Sequence, residues 1–317
     1  MDLSVPVQAP ERPAPVDFAV RVGSLHLQNP VIAASGTFGY GVEFADIVDL
    51  NRLGGIVVKG LSAKPMEGNP SPRLCETPSG LVNSIGLQNI GVRAFVTEKM
   101  PALRRYRTAI IANVFGYAIP DYLEVIRVLE DTEGIAAYEL NVSCPNVERG
   151  GLEFGTDPEQ LRAVVTAARK GSRRPLWVKL APTIGSISLM ARIAESCGAD
   201  ALTVANTYPA LCIDVHSRKS RLGSTTGGLS GAAIRPITVR LTFEACRAVR
   251  IPVIGLGGIQ SPEDVMEYML AGATAVQVGT AHFVDPRATE SLVRGLERCC
   301  MDLNIRTISD LRGALEA

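Results

Sequence analysis

The sequence predicts an α/β chain folded as a (β/α)8 TIM barrel, with active-site insertions after strands 2 and 6. Three observations predict it. Eight short apolar runs recur at 31–34, 55–59, 109–113, 137–142, 176–180, 201–205, 253–256 and 275–278. They are rich in Val, Ile and Ala and mostly lack polar alternation, as strands of a parallel sheet do when both faces are buried. Segments with helical spacing lie between them, at 122–130, 158–170, 187–197, 236–249, 262–270 and 288–301. The rhythm fills about 250 residues, the usual span of a closed barrel. A doubly wound open sheet is the structural alternative.

Taken in order, residues 1–17 are rich in Pro, Ala and charge without a periodic pattern, and read as a flexible N-terminal arm. Residues 18–317 then form a single barrel domain. Asp157-Pro158 and Ser261-Pro262 each set a capping side chain before a first-turn proline, a helix-start signal. Two stretches break the rhythm, 62–89 after the second strand and 207–231 after the sixth. Both follow C-terminal strand ends, where barrel enzymes place their active sites, and read as lids or walls of a site.

The totals narrow the function classes. Lys+Arg and Asp+Glu are balanced at 32 each, which excludes a strongly basic nucleic-acid binder. No apolar run is long enough to span a membrane, and the N-terminus lacks the order of a signal peptide. The seven cysteines, Cys75, Cys144, Cys197, Cys212, Cys246, Cys299 and Cys300, are odd in number and form no CxxC pair. Neither a disulfide framework nor a zinc site is expected, and a reduced cytoplasmic protein is. His26, His216 and His282 are too dispersed for a metal site or a Ser-His-Asp triad, and no metal is expected.

Polar residues fall at the strand ends. Lys59 ends the second strand, Asn113 the third, Asn141 the fourth and Lys179 the fifth, and Asn206-Thr207 follow the sixth. Such residues are costly inside a sheet unless paired, and a shared polar ligand with anionic groups near the lysines accounts for the set. Polar core residues satisfied by backbone are the alternative for any one of them. The last two strands end in Gly257-Gly258 and Gly279-Thr280, where bare backbone lets amides approach a phosphate. Gly227-Gly228-Leu229-Ser230-Gly231 is a further backbone-donor loop, or a flexible turn. No GxGxxG follows the first strand, so a Rossmann-type nicotinamide site is not supported.

Cys144 stands apart from the other cysteines. It sits in Asn141-Val142-Ser143-Cys144-Pro145-Asn146, just past a strand end and among polar neighbours. A loop cysteine there can act as nucleophile or base when its thiolate is stabilised, whereas most lone cysteines are inert and buried.

From about Val20 to Leu315 the chain resembles the class 1 dihydroorotate dehydrogenases of pyrimidine (UMP) biosynthesis. Four segments carry the resemblance: Asn83-Ser84-Ile85-Gly86-Leu87-Gln88-Asn89, the Cys144 segment, Gly227 to Gly231, and Gly255-Leu256-Gly257-Gly258-Ile259. It implies a barrel holding one FMN at its C-terminal rim. The phosphate site falls on Gly257, Gly258, Gly279 and Thr280. Ser35, Lys59, Gly60, Asn113, Asn141, Lys179, Ala205 and Gly231 match positions lining the flavin, with Lys179 at the pyrimidine end of the ring system. Lys59, Asn83, Ser84, Ile85, Gly86, Leu87, Asn141, Asn206 and Thr207 match the site for dihydroorotate and its product orotate. Cys144 is then the base that takes a proton from carbon 5 while hydride leaves carbon 6 for flavin N5, under a loop closed over the substrate. The insertion after strand six would bring lid residues to Cys144.

The segment Glu148-Arg149-Gly150-Gly151-Leu152-Glu153-Phe154-Gly155 looks like subclass B, the NAD-linked form. That implies a homodimer joined by an electron-transfer subunit carrying FAD and an iron-sulfur cluster, as a heterotetramer. This chain has no cysteine cluster for such a centre. Residues 1–17 are also too polar for the quinone-binding helix of the membrane-attached class 2 enzymes. Ser84 departs from the Ala usual in its segment, and Ala232 from the Pro usual after Gly231. The alternatives are a class 1 enzyme using fumarate or another acceptor, a related dihydropyrimidine oxidoreductase, a flavin-free phosphate-binding isomerase or lyase, and a non-catalytic relative.

Overall fold

Residues 16–142, 151–182 and 185–316 are described by the computed structural model of the chain. Its central strands are β1 (Val31–Ala33), β2 (Gly55–Val57), β3 (Ala109–Val114), β4 (Ala137–Asn141), β5 (Leu176–Lys179), β6 (Ala201–Val204), β7 (Val253–Leu256) and β8 (Ala275–Val278). All eight pair in parallel and close into a ring, β8 returning to β1 through Val276 opposite Val31 and Val278 opposite Ala33. The expected (β/α)8 barrel is therefore the fold. Each of the eight apolar runs supplies one strand, because Val, Ile and Ala suit a sheet buried on both faces.

The longer helices are α1 (92–103), α2 (Ile119–Glu130), α3 (Pro158–Gly171), α4 (Ile187–Ser196), α5 (Arg235–Ala248), α6 (Pro262–Leu270) and α7 (Ala288–Asp302). The expected caps form. Asp157 accepts from the amides of Glu159 and Gln160, and Ser261 from that of Asp264, whose carboxylate accepts in return from Ser261 N. Two elements carry no regular helical spacing. β1 leads into the 3-10 turns Val42–Phe44 and Leu50–Arg52. α1 is π-wound over Phe95–Lys99 and then meets Pro101, so its apolar period is broken.

Ile32, Val57, Ile111, Ala137, Trp177, Ala201 and Ile254 belong to one buried apolar cluster of the barrel. A hairpin of Val20–Val22 and Leu25–Leu27 adds Val20, Val22 and Leu27 to it. Asp17, at the end of the expected arm, is already tied to the body, since Ile308 N donates to its carbonyl at 2.9 Å. The second cluster lies between the sheet and helices α1 to α5. Among the described residues no helix is long and apolar enough to cross a membrane.

The two insertions meet above the barrel rim. Leu74–Thr77 and Gly80–Asn83 come from the first, Tyr208–Ala210 and Gly227–Ser230 from the second. They form one antiparallel sheet in the order 208–210, 227–230, 80–83, 74–77.

Trp177 is fully buried, and its indole Nε1 has no hydrogen-bond partner among the described residues. Trp177→Ala is expected to cost about 3–5 kcal/mol in urea unfolding. Trp177→Phe is expected to cost clearly less, since it refills the space and loses no hydrogen bond. A Trp177→Ala loss below about 1 kcal/mol would show that the barrel interior is not packed around this ring.

Candidate active site

The strand ends open into a cleft at the C-terminal rim, roofed by the sheet of the two insertions. Parallel alignment sends every strand end to this one rim, so the polar residues expected there are brought together. Lys59, Asn113, Asn141 and Lys179 line the cleft, followed by Ala205, Asn206 and Thr207. Ser35 and Gly60 line it from β1 and β2, and Gly231, Gly257, Gly258, Gly279 and Thr280 close the opposite wall. From the first insertion, Asn83, Ile85, Gly86 and Leu87 complete it.

Ser84 requires a correction. It was expected in the substrate wall, but it does not line the cleft. Extended backbone sends alternate side chains to opposite faces. Leu81, Asn83 and Ile85 therefore face the cleft, while Val82 and Ser84 face away. The Ser84 hydroxyl is fully buried between Asn69 Nδ2, 2.8 Å away, and the hydroxyl of Ser224 in the other insertion. Cys144, with Ser143, Pro145, Asn146 and residues 148–150, lies outside the described residues.

Hydrogen bonds fix the walls. Asn206 Nδ2 donates to Asn141 Oδ1 at 3.4 Å, and Thr207 N to Asn206 Oδ1 at 2.8 Å. Asn83 Nδ2 donates to the carbonyl of Gly228 at 3.1 Å, tying one insertion to the other. Thr280 Oγ1 donates to Ser230 Oγ at 2.7 Å, so the two glycine loops share a wall.

The electrostatics are one-sided. Lys59 and Lys179 line the cleft and no carboxylate does, among the described residues. Neither lysine forms a salt bridge with a described residue. Burial pulls the Lys59 ammonium below its ordinary range, the Arg73 charge pulls the same way, and Glu43 opposes both. A bound anion would restore it.

Three further features shape the cleft. Gly258 has φ +70°, and a side chain there would collide with Gly231 O at 2.8 Å, so this loop must be bare backbone. At Gly279 a Cβ would meet only Ala34 at 3.8 Å, so the space beside it belongs to the cleft. Asn113, fully buried, leaves its Oδ1 without a partner among the described residues, in the same cleft. Ser230 of the glycine loop also lines the site, as do Thr37, Leu74 and Phe283, which no motif marked. Leu74 and Thr37 looked ordinary in sequence; Phe283 follows the Gly279-Thr280 pair by three residues and was within reach of that motif.

Fold and site together define a barrel enzyme whose C-terminal cleft carries positive charge and hydrogen-bonding groups suited to an anionic polar ligand. The comparisons with known proteins narrow that class. The profile of the family described as "Dihydroorotate dehydrogenase" matches residues 18–300. A protein of Solibacter usitatus, provisionally named dihydroorotate dehydrogenase A (fumarate), is 56% identical over 298 residues, covering 94% of this chain and 98% of its own. The dihydroorotate dehydrogenase B (NAD(+)) catalytic subunit of Thermodesulfovibrio yellowstonii is 52% identical over 297 residues, covering 94% and 98%. A dihydroorotate dehydrogenase of Eimeria tenella, solved in complex with ferulenol, superposes with a TM-score of 0.81 at 22% identity, covering 96% of this chain and 90% of that one. That likeness is one of fold. The chain belongs to the dihydroorotate dehydrogenase family.

His282 props the glycine wall from behind. Its Nδ1 lies 3.0 Å from Thr37 Oγ1, and its Nε2 meets Thr289 Oγ1 on α7. Burial pushes its imidazole down to about 4, against weaker opposing effects from the Gly279 carbonyl region and Asp285. The folded value lies below the unfolded one, so between pH 6.5 and 4 the unfolded chain takes up a proton that the native state refuses. Stability is full above pH 6.5 and falls as pH drops through this window, by about 3 kcal/mol. In urea unfolding, His282→Gln should flatten the wild-type decline between pH 6.5 and 4. Identical pH dependence in the two proteins would show that His282 is not its source.

Proposed function

We propose that this chain oxidises dihydroorotate to orotate with a bound FMN, as a dihydroorotate dehydrogenase whose electrons pass to NAD+ through a partner subunit. The observation that carries the reading is a cleft with two lysines and no carboxylate among its described lining residues, in a chain of this family. Gly257, Gly258, Gly279 and Thr280 would hold the FMN phosphate. Ser35, Lys59, Gly60, Asn113, Asn141, Lys179, Ala205 and Gly231 would hold its ring system, and the bare loop at Gly258 and the free Asn113 oxygen suit both parts. When bound, FMN supplies the acceptor for the hydride that leaves carbon 6 of dihydroorotate.

The chain supplies the rest. Lys59, Asn83, Ile85, Gly86, Leu87, Asn141, Asn206 and Thr207 hold the substrate. Carboxamides suit its ring because each offers both a donor and an acceptor to ring N–H and C=O groups. The Cys144 thiolate takes the proton from carbon 5. Lys179 places positive charge where the ring system gains negative charge. The roof sheet keeps water from the site, and Ser84, with its bonds to Asn69 and Ser224, ties that roof together.

The test is a visible spectrum of the purified protein before and after anaerobic addition of dihydroorotate. A flavin spectrum that bleaches is expected. A flavin that persists would remove dihydroorotate as substrate, and a folded protein unable to take up FMN would remove the flavin reading. Cys144→Ser should still bind FMN but reduce it slower by orders of magnitude near neutral pH, because a hydroxyl is a far poorer base. Reduction at the wild-type rate would take Cys144 out of the mechanism.

The acceptor needs its own experiment, because the Solibacter relative is named for fumarate and the Thermodesulfovibrio relative for NAD(+). We read the chain as the catalytic half of an NAD-linked assembly, a cytoplasmic homodimer joined by a subunit carrying FAD and an iron-sulfur cluster. The purified chain should then reduce artificial dyes readily and NAD+ poorly, and gain NAD+ activity only with that subunit. Rapid fumarate reduction by the chain alone would favour the fumarate-linked reading, and robust NAD+ reduction alone would remove the partner.

A further inference from the structure

The middle of the barrel holds a carboxylate that the mechanism above does not use. Glu139, on β4 two residues before Asn141, is fully buried. Sequence reading passed over it, although a charged residue inside an otherwise apolar run was a visible signal. Three neutral groups from three other strands donate to it. Asn113 Nδ2 on β3 approaches Oε1 at 2.7 Å, while Thr203 Oγ1 on β6 and Gln277 Nε2 on β8 approach Oε2 at 2.7 and 2.5 Å.

A carboxylate can only accept, so every amide beside it must turn its NH2 inward and its oxygen outward. For Asn113 outward means the cleft. Its Oδ1 has no partner among the described residues and lies 3.1 Å from where a Cβ on Gly60 would stand. Gly60 itself lines the cleft, and the absence of a side chain there leaves the oxygen open. A buried carbonyl oxygen facing a ligand site accepts a hydrogen bond from that ligand or loses about 1–3 kcal/mol.

We propose that Glu139 is a positioning residue: by capturing the Asn113 NH2 it aims the Asn113 oxygen into the cleft, as an acceptor for a ring imide N–H. This rests on the flavin and dihydroorotate reading above, since both rings carry such a group. The role needs an acceptor at position 139 and not a negative charge. In Glu139→Gln the side-chain oxygen can still accept from Asn113, because Gln277 has an unpaired Oε1 and can turn round to accept from the new NH2. Glu139→Leu offers no acceptor, and the Asn113 amide is released.

The experiment compares wild type, Glu139→Leu, Glu139→Gln, Asn113→Ala and the pair Glu139→Leu/Asn113→Ala. It measures the FMN dissociation constant of the apoprotein, the orotate dissociation constant of the FMN-loaded protein, and the midpoint potential of the bound flavin. Glu139→Leu should weaken one of the two ligands about tenfold, as Asn113→Ala does, with Glu139→Gln within about threefold of wild type. Loss in the FMN arm assigns the N–H to the flavin, and loss confined to the orotate arm assigns it to the substrate. In the FMN case the potential, which barrel stability alone does not move, shifts the same way in Glu139→Leu and Asn113→Ala. The paired variant should be no weaker than Asn113→Ala, because the two act through one contact. Should Glu139→Leu not fold, Glu139→Ala, which leaves room for water beside the three donors, takes its place. Wild-type affinities in the folded Leu or Ala variant would overturn the proposal. So would losses that multiply in full in the Asn113→Ala background. Wild-type uptake of flavin reports separately on the proposed function, and a wild type that takes up none would end both readings.

Discussion

A closed ring of parallel strands buried on both faces leaves nowhere for a polar side chain except its ends or a partner within the ring. That constraint orders this molecule. The apolar half of the barrel is packed around Trp177, Ile111 and Ala137. Above them the polar side chains either neutralise one another or reach the rim. Glu139 takes the first course, with donors from three strands. Lys59, Asn113, Asn141 and Lys179 take the second. An open sheet would spread the same residues along an edge; closure focuses them on one cleft.

The cleft's sign follows from what was left out. Two lysines without a carboxylate among the described lining residues make a site whose own charges are unbalanced, and burial lowers Lys59 further. A protein tolerates this where a ligand completes the balance. The glycine wall does the same in backbone terms, offering amides at Gly258 where no side chain fits.

Much of this was legible in the sequence because the signals were redundant. Each barrel strand was a Val/Ile/Ala run, and both cleft lysines, with Asn113, Asn141 and Asn206, stood at or just past the end of one. The failures have local causes. α1 was invisible because π-winding and Pro101 destroy the 3.6-residue period on which helix recognition depends. The hairpin at Val20–Val22 and Leu25–Leu27 was too short to stand out. Ser84 was read by its motif, whereas the extended backbone around it decides which side it faces. Glu139 was hidden because its three partners are far apart in sequence, the nearest 26 residues away and the farthest 138. The reach of a long-range hydrogen bond is not written in local pattern.

The roof has a consequence for the order of assembly. Its sheet joins segments that are strangers along the chain, the bond from Asn83 to Gly228 alone spanning 145 residues. Closing so long a loop costs entropy that local contacts do not repay. The two insertions can meet only once the ring beneath them has brought the ends of β2 and β6 to the same rim. The chain therefore finishes its barrel with the cleft still uncovered. The part that shuts the cleft depends for its closure on the ring beneath it.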